Sequence, residues 1–179
     1  MPSRICIFLG SSSGNGDEYL RLAAGVARAI VAHGHSIVYG GGRVGLMGAL
    51  ADAALDAGGE VVGVIPESLE RLEVAHRGLT QLHVVASMHE RKALMAALSD
   101  AFIALPGGIG TLDELFDMLS WRQLGVHAKP IGLLNYRDFF DPLIAQLDGM
   151  VAQGFVTRHH RDLLIAATGL DDLLLRMRI

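Results

Sequence analysis

The 179-residue chain is poor in the features that announce several whole classes of protein. It has one cysteine, Cys6, so no disulfide framework can form, and a reducing compartment is expected. Cys6 stands inside the apolar run ICIFL, where a thiol is normally inert packing rather than a nucleophile. Charged residues make up 19 % of the chain and the formal net charge is −4, with no basic run or aromatic-basic interleaving to attract nucleic acid. No apolar stretch approaches the roughly 20 residues of a membrane helix. Five apolar residues after MPSR are too few for a signal peptide. A soluble, cytoplasmic protein without nucleic-acid or membrane partners is the expectation. Histidines lack metal-ligand spacing such as H-E-x-x-H, so no metal site is expected. Ser11, Ser12 and Ser13 lack a G-x-S-x-G elbow, which argues against a serine hydrolase.

What remains is apolar and glycine-rich. Hydrophobic residues form 51 % of the chain, enough for one domain with a sizeable core, spanning residues 1–179. Short β-rich runs at 4–10, 35–40, 60–66, 81–87, 101–107 and 129–135 alternate with helical patterns. Leu112, Leu115, Phe116 and Leu119 show the spacing of a helix burying one stripe. Near-continuous apolar strands suit a parallel sheet covered on both faces. The expected fold is therefore α/β: a Rossmann-like, doubly wound, mostly parallel sheet with helices on both faces. The stretch 67–80 reads as a loop with a short helix, and DLLIAAT (162–168) as one further strand before a final helix.

In such sheets ligands sit beyond the carboxyl ends of the strands. There the chain places GSSSG (10–14), GGGRVGLMG (40–48), SMHERK (87–92) and PGGIGT (106–111). Gly40 to Gly45 matches G-x-G-x-x-G, but it follows the second strand rather than the first, which disfavours an NAD site. PGGIGT is the stronger phosphate cradle: its glycines let an anion reach backbone amides at a helix N-terminus. Thr111-Leu112-Asp113-Glu114 also matches a capping box, which accounts for Thr111 and Glu114 as well as a functional role does. Acids near a helix N-terminus are favourable by about 0.3–1 kcal/mol. Cations there are not, so Arg91 and Lys92 call for a reason, and a bound phosphate supplies one. Ser12 is a candidate hydrogen-bond donor to the ligand. Gly42, Gly45, Met47 and Met88 are further candidates for lining the ligand pocket.

Together GGGRVGLMG, SMHERK and PGGIGTLDE resemble, in order and spacing, the Lonely Guy family of cytokinin riboside 5′-monophosphate phosphoribohydrolases. GSSSG, GVIPESL and WRQLGVHAKPIGLLN extend the resemblance over most of the chain. It implies a homodimer that hydrolyses the N-glycosidic bond of purine nucleoside monophosphates, N6-modified or plain AMP, without a cofactor. It assigns Arg91 and Glu114 to catalytic positions and Gly107, Gly108, Gly110 and Thr111 to the phosphate loop; beside them Lys92 is expected to add charge compensation. Asp113, about 100° around the helix from Glu114, serves the dipole. The rival expectation is a nucleotide- or cofactor-binding carrier on the same fold, which has no need of Arg91 and Glu114 together. A pyridoxal-phosphate decarboxylase needs a Schiff-base lysine, and the chain offers Lys92 and Lys129 alone.

Overall fold

A computed structural model describes residues 2–70 and 74–179. Among these described residues seven strands form one parallel sheet: β1 (Arg4–Phe8), β2 (Ser36–Tyr39), β3 (Val61–Pro66), β4 (Gln81–Val85), β5 (Ala101–Ala104), β6 (Ile131–Leu134) and β7 (Leu164–Ala167). Between them lie α1 (Glu18–Ala32), α2 (Gly45–Asp56), α3 (Glu67–Glu70), α4 (Met88–Leu98), α5 (Ile109–Gln123), α6 (Asp141–Ala152) and α7 (Arg158–Arg161), with α8 (Leu170–Met177) last. Each of the six expected strands is present, shorter at its ends, and DLLIAAT contributes the seventh. The expected short helix at 67–80 is α3; residues 71–73 of that stretch lie outside the described ones.

Strand alternation explains why the runs are apolar throughout. In β1, Ile5 and Ile7 face a core shared with α1, α2 and α8. Cys6 and Phe8 face the opposite core, which includes Met95 of α4, Leu115 of α5 and Leu147 of α6. A strand buried on both faces has no position for a polar residue. Each fully buried Ile or Phe contributes roughly 1.5–3 kcal/mol.

The strand order β4-β3-β2-β1-β5-β6-β7 fixes where a ligand can enter. The chain builds outward from β1 to β4, returns beneath β3, β2 and β1 through α4, and then builds the other way from β5. The loops after β1 and β5 therefore diverge to opposite faces, opening a crevice at the switch point. Register brings these loops level: Phe8 pairs with Ala104, and the Leu105 amide donates to the Phe8 carbonyl at 2.8 Å. Among the described residues no helix is long and apolar enough to cross a membrane.

Candidate active site

At the switch point lies a cleft of about 460 Å³, floored by Ile7 and Leu9 and walled by the loops after β1, β2 and β5. Of the residues expected at the site, Ser12, Met47 and Met88 line it, as do Gly107, Gly108, Gly110 and Thr111. Arg91 and Glu114 line it too, from α4 and α5.

The phosphate-loop glycines divide by role. A Cβ on Gly107 would collide with the Thr111 hydroxyl and meet the Gly10 amide at 2.8 Å, so Gly107 is bare because two loops pack through it. A Cβ on Gly108 or Gly110 meets no protein atom within 4 Å. These two leave open space in front of the first turn of α5, whose amides have no intrahelical acceptor and favour an anion.

The capping box expected at Thr111 does not form. Gly108 is the N-cap of α5, in extended conformation and without a side-chain cap. The helix thus begins at Ile109, and Asp113 and Glu114 fall beyond its first turn. Thr111 is 3 % exposed, and its Oγ1 has no hydrogen-bond partner among the described residues. A buried hydroxyl so placed costs free energy until something bonds it. A related reciprocal cap sits on α4: Ser87 Oγ accepts from the Glu90 amide at 3.1 Å, and Glu90 Oε2 accepts at 3.0 Å from the amide of Ala86, the residue before the N-cap.

Arg91 has a structural reason to stand in the first turn of α4. Its side chain folds inward, leaving the residue 4 % exposed. Nε donates to the Val64 carbonyl at 3.1 Å and Nη2 to the Gly40 carbonyl at 2.8 Å. It thus ties the end of β2 to β3 while holding a positive charge on the cleft wall. Its sequence neighbour Lys92 does not line the cleft. The ammonium lies 2.6 Å from Asp117 Oδ2 and 3.1 Å from Asp113 Oδ2, both on α5. Burial by itself lowers the Lys92 pKa; hydrogen bonds and charge from Asp117 and Asp113 outweigh it and hold the group above its ordinary value. Such a group is charged across the neutral range, but its charge is already met.

Gly42 and Gly45 also sit behind the wall rather than on it. The Gly42 carbonyl accepts from the Tyr39 hydroxyl at 2.9 Å, and Gly42 forms a β-bridge with Ala75. Gly45 has φ +58°, and a Cβ there would strike the Ser11 carbonyl, so this glycine lets α2 press against the serine loop. Cys6, fully buried behind the site, has its thiol pushed up by burial and then by the Glu114 charge, against weaker opposing effects of Ser99, Arg91 and Lys129. It stays a neutral packing group.

Sequence reasoning missed the aromatic end of the cleft. Tyr19 and Phe139 line it with ring centroids 6.2 Å apart and planes at 72°. Phe139 is presented by a turn in which Arg137 and Asp138 both take left-handed conformations. Asn135 clamps that turn, accepting from the Phe140 amide and donating to Asp141 Oδ1, each at 2.8 Å. An ion pair between Arg137 and Glu18 ties it to α1. No local motif signals this arrangement.

A family profile described as "Possible lysine decarboxylase" matches residues 47–177. The description does not suit the two lysines: Lys92 is held by two aspartates and Lys129 Nζ donates to the Ala96 carbonyl at 2.7 Å, so neither ammonium faces the cleft. In fold, the chain is similar to the molybdenum cofactor carrier protein of Chlamydomonas reinhardtii (TM-score 0.72, 19 % identity, 99 % of this chain and 97 % of that one). The molybdenum cofactor binding protein of Rippkaea orientalis is similar too (TM-score 0.74, 21 % identity, 99 % and 96 %). In sequence, a Rhodococcoides fascians protein named "Cytokinin riboside 5'-monophosphate phosphoribohydrolase" is 49 % identical over 178 residues, 99 % of this chain and 90 % of the relative. A protein of the same activity name from Arabidopsis thaliana is 45 % identical over 171 residues, 96 % and 80 %. Identity at this level along nearly the whole chain decides the matter: the chain belongs to the Lonely Guy family of cytokinin riboside 5′-monophosphate phosphoribohydrolases.

Proposed function

We propose that this protein hydrolyses the N-glycosidic bond of purine nucleoside 5′-monophosphates, releasing free base and ribose 5-phosphate. One observation carries the reading beyond family membership: an anion-accepting helix terminus, a fixed arginine and a carboxylate share one cleft. Its volume is in the range of small-molecule sites. In this reading the 5′-phosphate takes the α5 amides in front of Gly108 and Gly110 and satisfies Thr111 Oγ1.

Cleavage passes through an oxocarbenium-like sugar, as glycoside hydrolysis does. The bond from C1′ to the purine nitrogen breaks, its electron pair leaves with the base, and water supplies the new oxygen at C1′. Glu114 faces the sugar, stabilises its developing charge and accepts a proton from the water. Arg91, immobilised by the Gly40 and Val64 carbonyls, orients the phosphoribosyl group. The base ends as a neutral species once it takes up a proton.

N6-modified adenosine monophosphates belong to the same substrate class, together with AMP. Apolar side chains among the cleft lining, Tyr19, Leu69, Met88 and Phe139, suit an apolar substituent. A homodimer is part of the proposal and rests on family membership. A carrier without turnover would rest on fold likeness alone, and fold does not carry function.

The test is chromatographic. Incubation with AMP and with isopentenyladenosine monophosphate is expected to release free base, and the unphosphorylated nucleosides are expected to react far more slowly. No base from any member of a monophosphate panel would sink the proposal. The glycines provide a second check. Gly108→Ala is expected to keep the wild-type melting temperature while raising KM at least tenfold, because its methyl occupies ligand space. Gly107→Ala is expected to lower the melting temperature, since its methyl meets Thr111 and Gly10. Equal behaviour of the two variants in calorimetry and kinetics would contradict this division.

A further inference from the structure

Arg91 and Glu114 reach the cleft on helices whose parent strands, β4 and β5, are separated in the sheet by β3, β2 and β1. No strand pairing sets α4 directly against α5. A tie at the cleft end of the two helices must therefore come from side chains. Lys92 supplies one. It follows Arg91 in α4, and its ammonium enters a fork of two carboxylates on α5, at 3.1 Å from Asp113 and 2.6 Å from Asp117. Asp113 and Asp117 are one helical turn apart and so share a face. Asp113 also immediately precedes Glu114.

We infer that Lys92 is a positioning residue: by pinning α4 to α5 through Asp113 and Asp117 it sets how Glu114 stands relative to Arg91 in the cleft. The inference rests on the hydrolase reading above and deepens it. Two observations favour positioning over direct contact with a phosphate. The Lys92 side chain is 13 % exposed and does not line the cleft, whereas Asp113, its partner, does. The cluster of one ammonium and two carboxylates also carries a net negative charge, which repels a phosphate rather than attracting it. The adjacency is geometrically efficient. Lys92 and Asp113 are chain neighbours of Arg91 and Glu114, and Asp117 lies one turn further along α5, so a small rotation or slide of α5 moves Glu114 relative to the braced Arg91. Positioning errors of this kind, near an ångström, lower rates strongly while leaving most of the binding contacts in place.

The test compares Lys92→Met, Lys92→Arg and Asp117→Asn with wild type in kcat, KM and melting temperature. Lys92→Met is expected to lower kcat roughly tenfold to a hundredfold with KM changed less than threefold. Lys92→Arg is expected to restore most of the rate, because it keeps the charge and reach of the pin. Asp117→Asn is the milder variant and is expected to lower kcat in the same sense; combined with Lys92→Met it should add little further loss. A rise in KM at constant kcat would show the ammonium on the substrate and overturn the inference, as would unchanged kinetics. An inactive wild type would instead sink the hydrolase reading. A crystal structure of Lys92→Met reads the pin independently of turnover: a shift of α4 against α5 at the cleft is expected, and an unmoved pair contradicts it.

Discussion

Glu114→Gln is expected to lower kcat about 10²–10⁴-fold, the usual contribution of a positioned acid or base. The substitution keeps shape and volume but removes the negative charge that a cationic sugar requires and the basic oxygen that a water proton requires. KM for AMP should stay within a few-fold of wild type, because the phosphate subsite in front of Gly108 and Gly110 is untouched. The melting temperature should change little, since Glu114 is half-buried at the cleft rather than in either core. A Glu114→Gln enzyme with wild-type kcat would remove this residue from the chemistry. A variant that is inactive because it is unfolded would be told apart by calorimetry.

Arg91→Met is expected to fail in two ways at once. The guanidinium donates to the carbonyls of Gly40, just after β2, and Val64, within β3, and these are left without that partner inside the protein. Each buried acceptor so abandoned costs about 1–3 kcal/mol. Unlike Glu114→Gln, the variant should therefore lose melting temperature as well as rate. Arg91→Lys is no rescue, because one ammonium cannot reproduce a planar fork aimed at Gly40 and Val64. The contrast separates the two residues: denaturation and kinetics should move together for Arg91 and apart for Glu114. A fully stable Arg91→Met protein would contradict the bracing geometry.

Much of this architecture was legible in the residues because its physical causes are local. Strands such as ICIF and AFIA must be apolar at every position when both faces are covered, and the βα alternation then dictates a doubly wound sheet. The glycine loops were legible for the same reason: bare backbone after a strand places amides where ligands bind. Three details depended on tertiary geometry. T-L-D-E has the letters of a capping box, yet burial of Thr111 and Leu115 draws the helix start back to Ile109, although Gly110 is a poor helix former. Lys92 is next to Arg91 in the chain but about 100° away around α4, which turns it to α5 instead of the cleft. Phe139 reaches the cleft only because Arg137 and Asp138 adopt left-handed backbone, a choice made by the Asn135 clamp and not by a turn motif.

Running the reaction with AMP in ¹⁸O-labelled water and analysing both products tests hydrolysis at C1′ most directly. Adenine and ribose 5-phosphate are expected in equal amounts, with the label carried by the sugar phosphate and the reaction suppressed in Glu114→Gln. Binding of AMP without any release of adenine would contradict the central claim.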